Sequence, residues 1–101
     1  MNPFNEKQLL LMKRGIAHFE QTPPTLESLL ALTQSLEELL DSLQNIHEEW
    51  KETFRTEWWE LELIVSVMMD EEIDDLTAED NQAISEALSN IKALIDTQLK
   101  S

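Results

Sequence analysis

Apolar positions recur along this chain at three- and four-residue intervals, and nowhere do they alternate with polar ones over the length of a strand. From Trp50 onward the pattern is clearest. At about 100° per residue, Trp50, Phe54, Trp58, Leu61, Val65 and Met68 fall within roughly one quadrant of a helix surface. A shorter row, Trp59, Leu63 and Val67 at i, i+4 and i+8, points nearly the opposite way. A helix apolar on two sides is either enclosed by neighbours or offers one side to a partner. Three further stripes accompany it. Leu9, Met12, Ile16 and Phe19 form the first; Leu26, Leu29 or Leu30, Leu36, Leu40 and Leu43 the second, widened by Leu32 and Leu39; Ile84, Leu88, Ile91, Ile95 and Leu99 the last.

Polar punctuation divides these stripes. Asn2-Pro3 has the form of a helix start, an Asn cap followed by a Pro whose missing N–H costs nothing in the first turn. Thr22-Pro23-Pro24-Thr25 ends the first helix, and either Thr can cap the second. No Gly or Pro follows Pro24, yet one uninterrupted helix to Leu76 would be about 75 Å long, more than so small a domain can cover. The break is placed at Ser42 to Asn45, with Asn45 as cap and Glu48 returning a bond three residues later. Thr77, with Glu79 and Asp80 in the turn after it, opens the final helix. The expectation is one all-α domain over residues 1–101, an antiparallel four-helix bundle with helices at 3–20, 25–43, 46–74 and 78–99. Gly15, the one glycine, either admits a close neighbour or marks an early helix end.

Charge then changes the picture. Of 101 residues, 21 are Asp or Glu and 7 are Lys or Arg, a formal charge of −14. Leu, Ile, Val and Phe still exceed the roughly one-fifth of residues below which so charged a chain stays disordered. Between Arg55 and Lys92 no base interrupts the acids. Such a field repels nucleic acid and anionic lipid and draws in basic proteins; keeping a small protein soluble is its plainer use. Lys7, Lys13 and Arg14 make the first helix the one locally basic segment, and they are expected to lie against acidic helices of the same bundle. Cysteine is absent, which rules out disulfides and thiol chemistry. The early apolar run Leu9 to Met12 is too short for a leader or a membrane span, so a cytoplasmic location is expected.

Chemistry-bearing motifs are few. His18 and His47 belong to no Glu-x-x-His pair, and no Gly-rich elbow marks a nucleophile. A calcium loop starting at Asp70 would need Gly where Asp75 stands and Glu where Asn81 stands. No cofactor or metal is expected, and the reading is non-enzymatic. What the residues suggest instead is an interface. Trp59, Leu63 and Val67 would be its apolar centre, Glu57, Glu60 and Glu62 its near rim, and Asp70, Glu71, Asp74 and Asp75 its acidic end. The opposing possibility is that the three apolar residues pack beneath the first or last helix of the same chain. In size, helicity and acidity the chain is similar to small helical immunity proteins that neutralise nuclease toxins, a resemblance that spans the whole chain without any shared motif. It implies an inhibitor whose carboxylates stand where phosphates would sit on a basic partner protein, with no direct contact to nucleic acid or membrane. A structural module that homodimerises through Trp59, Leu63 and Val67 is the alternative.

Overall fold

The computed structural model describes residues 2–73 and 75–100. It is an antiparallel four-helix bundle: α1 (Pro3–Gln21), α2 (Leu26–Ser42), α3 (Glu48–Asp70) and α4 (Ala78–Leu99). Each helix packs on the next, and α4 closes against α1, so that α1 and α3 occupy opposite corners. The bundle measures 41 × 25 × 19 Å. Among the described residues there is no strand.

All four stripes meet in a single core. Leu9, Met12 and Ile16 from α1, Leu29 and Leu36 from α2, Phe54 and Leu61 from α3, and Ile91 and Ile95 from α4 are sealed from solvent. Trp50 and Trp58 are only partly buried, because each is large enough to reach from the core to the edge of α3. Their indole N–H groups are used there. Trp50 donates to the Leu94 carbonyl of α4 at 3.0 Å and Trp58 to the Thr33 carbonyl of α2 at 2.8 Å, so α3 is held from both flanks. Buried indoles need such partners, since an unpaired donor in a core costs about 1–3 kcal/mol.

Helix ends follow local chemistry. Asn2 accepts from the Phe4 N–H; Thr25 with Ser28, and Thr77 with Asp80, form reciprocal capping boxes. The start of α3 corrects the sequence reading. Asn45 does not cap; its φ is 55°, the left-handed region that Asn tolerates better than most residues, and it turns the chain between α2 and α3. His47 holds the cap position instead and makes no side-chain cap bond. The connection is secured from α1. Buried Asn5 donates to the Gln44 carbonyl at 2.6 Å and accepts from the Gln44 N–H at 2.9 Å, as a neighbouring strand would.

The end of α3 also lies earlier than expected, at Asp70 rather than 74. There Ile73 N–H bonds to Met68 O at 2.9 Å and Glu72 N–H to Met69 O at 3.3 Å, with Glu72 at φ 54°. This is a Schellman ending with Glu in the left-handed position normally given to Gly. Stopping at Asp70 also spares α3 a last turn crowded with acids, which would oppose its dipole.

Lys13 meets Asp96 at 2.7 Å and Lys92 meets Glu20 at 2.9 Å, two ion pairs bridging α1 and α4. Of the three basic residues of α1, Lys13 alone is used in this way among the described residues.

Candidate partner-binding face

The same rotation that sends Phe54, Leu61 and Val65 inward sends Trp59, Leu63 and Val67 out. Trp59 is 54% exposed, Leu63 43% and Val67 52%. They pack beneath no other helix, because α3 has neighbours on two flanks only, and its outer side is bare. Asp70 shares that side, and Glu60 and Glu71 border it, all three exposed. Glu57 and Glu62 stand elsewhere. Helical spacing places them on opposite flanks of α3, where both are half-buried, so they belong to the edges of the face. Asp75 is exposed beyond the helix end, and Asp74 lies outside the described residues.

Two grooves flank this stripe. On the α2 side an open groove of about 410 Å³ is lined by Glu37, Leu40, Asp41, Arg55, Trp58 and Trp59. The two indoles there have centroids 6.4 Å apart at 44°, and Arg55 reaches Asp41 of α2 at 3.5 Å. On the α4 side a second groove of about 420 Å³ has an apolar floor that includes Leu63, Ile64, Val67 and Ile73. Carboxylates of Glu60, Glu71, Asp75, Glu79 and Asp80 stand around it. Sequence reasoning had assigned Glu79 and Asp80 only to the start of α4. Asp80 does serve there, accepting from Thr77 N–H, but the turn before α4 brings both acids back beside Val67 and Ile73. Ile73, the one apolar residue within the run of acids, was the available signal that this turn folds against something apolar.

Apolar side chains ringed by carboxylates favour a partner that brings both apolar and cationic groups. Water leaves the Trp59 surface on contact, while the rim attracts and orients positive charge. Among the described residues, no three His, Asp or Glu side chains converge to hold a metal ion. His18 and His47 are exposed on separate elements. Asp96, whose carboxyl is held below the usual aspartate range chiefly by its hydrogen bond from Lys13, sits at the α1–α4 seam, away from this face. No known protein family, curated protein or solved structure matches this chain. Its surface is therefore the guide to what it does. No helix among the described residues is long and apolar enough to cross a membrane.

Proposed function

We propose that this chain is a non-enzymatic acidic binding protein of the inhibitor or immunity type, which engages a basic partner protein through the outer face of α3 and the groove between α3 and α4. The observation that carries the reading is Trp59, more than half exposed at the head of an outward apolar row that continues through Leu63 and Val67 into a groove bordered by carboxylates. Trp is over-represented among residues that dominate binding energy, and a surface indole that stabilises no core is otherwise a liability. Opposite charge on the partner raises the encounter rate and selects orientation, while the indole and the aliphatic row supply the lifetime of the complex. Where the partner acts on nucleic acid, Glu60, Glu71 and Glu79 would occupy positions that phosphates otherwise take. That occupation is competitive, so no catalysis by the acidic protein is required.

Capture from native cells at low salt tests this directly. The expected catch is a basic protein retained by the unsubstituted chain and released as salt rises. Trp59→Ala is expected to weaken the purified pair by at least about 30-fold, the equivalent of about 2 kcal/mol for a Trp that anchors an interface. Failure to retain any basic protein, or retention unchanged by Trp59→Ala, would overturn the reading.

A further inference from the structure

A second apolar face lies on the opposite corner of the bundle, and neither the core nor the proposed partner site uses it. On α1, Phe4, Leu10 and Leu11 are 41%, 49% and 36% exposed. Lys7 and Arg14, seven residues apart, share one line along the helix between Leu10 and Leu11. Both are exposed and neither has an ion pair among the described residues, unlike Lys13, which turns to Asp96. Glu6 is the acid nearby, at the border of the shallow depression that Lys7, Leu10, Leu11 and Arg14 line. The molecule thus carries two outward apolar rows of opposite rim charge, cationic on α1 and anionic on α3.

We propose that the outer face of α1 docks on the outer face of α3 of a second copy of this chain. Leu10 and Leu11 would cover the Trp59, Leu63 and Val67 row, with Lys7 and Arg14 meeting carboxylates such as Glu60 and Asp70. Charge selects this pairing over symmetric ones. An α3-to-α3 dimer would bring two acidic rims together, and an α1-to-α1 dimer would set Lys7 and Arg14 against their own copies. Because α1 and α3 occupy opposite corners, a copy bound through one face leaves its other face free. Association is therefore heterologous and adds copies in a row unless the geometry closes a ring. The net charge of −14 on each copy opposes association, so the contact is weak. It covers the face assigned above to a basic partner, so self-docking and partner binding compete. The proposal shares that face with the functional reading but does not rest on it.

Sedimentation equilibrium of the full chain up to about 1 mM, where weak small interfaces first register, provides the test. The average mass is expected to climb above 11.7 kDa with concentration and to pass the dimer value without a plateau. Lys7→Glu/Arg14→Glu removes one face and Trp59→Ala/Val67→Glu the other. Each double variant alone is expected to be monomeric, and an equimolar mixture to form a dimer and stop there, since each contributes one intact face. Lys51→Glu/Lys100→Glu changes the net charge equally but touches neither row, and it is expected to associate like the parent. Circular dichroism verifies that each variant is folded, and Leu10→Ser and Leu63→Ser replace any that is not. A parent chain that stays monomeric, a single variant that still self-associates, a mixture that does not pair, or a Lys51/Lys100 control that is monomeric would each overturn the proposal. A monomeric parent that still captures a basic protein through Trp59 would leave the functional reading intact.

Discussion

Adjacent tryptophans show how finely one residue of register divides core from surface. Trp58 fills the gap between α3 and α2 and donates to Thr33, whereas Trp59, about 100° further round, stands in solvent. Trp58→Ala is expected to cost about 3–5 kcal/mol, a large share of the stability of a domain this size, while Trp59→Ala stays within about 0.5 kcal/mol. Urea titrations of both variants measure the contrast, and similar losses would put Trp59 in the core. Asn5 has comparable leverage through polarity. Its removal as Asn5→Ala leaves both the N–H and the carbonyl of Gln44 without their partner, and about 1–3 kcal/mol should be lost. Nothing in the sequence announced this pair, because its two members lie 39 positions apart and neither belongs to an apolar stripe. The direction of Trp58, by contrast, was legible from spacing alone. Whether Trp59 was covered was not, since that depends on how many neighbours α3 acquires.

At the scale of the helices, existence and facing were readable, and so were the ends of α1, α2 and α4 to within a residue, from cap side chains, the Pro23-Pro24 pair and the last apolar positions; the two ends of α3 were not. Thr77, followed by acids, was read as the cap of α4 and is; for α2 the sequence left Thr22 and Thr25 open, and the chain uses Thr25, paired with Ser28 three residues on. Asn45 misled because Asn is favoured both as a cap and in the left-handed region, and the chain needed the second. The end of α3 was missed for the complementary reason: it uses Glu72 where Gly would have announced the stop. Both exceptions are therefore sites of recoverable stability. Glu72→Gly should relieve left-handed strain and raise stability by up to about 1 kcal/mol, and His47→Ser should gain about 0.5–1 kcal/mol by supplying the missing cap bond. Gly15 behaves similarly. A Cβ there would meet only Leu32 Cδ1 at 3.8 Å, an ordinary contact, so the glycine is not required for helix approach. Gly15→Ala should stabilise α1 by about 1 kcal/mol. Thermal midpoints shifted down by any of the three would contradict these assignments.

Over the whole molecule, the consequence of −14 charges on a body 25 Å across depends on the distance over which they are felt. At 0.01 M salt the screening length is about 30 Å, so acids on every face repel one another; at 0.15 M it is about 8 Å and only near neighbours matter. Stability should accordingly rise between those two conditions. The ion pairs of the α1–α4 seam act in the reverse sense, but they are exposed and short-range, and screening costs them little. Acid separates the two effects. Asp96 has a lower pKa folded than unfolded, so the unfolded chain binds its proton more readily, and its contribution is present above the unfolded value and lost as pH falls through the folded one. Lys13→Met removes the main cause of that depression. The stability difference between parent and Lys13→Met should therefore be full near neutrality and vanish in strong acid, while general protonation of the other carboxylates relieves repulsion in both proteins alike. Denaturant midpoints measured from pH 7 to pH 2 read the difference. If it persisted undiminished at pH 2, the Lys13 ammonium would be supporting the seam through something other than the charge on Asp96.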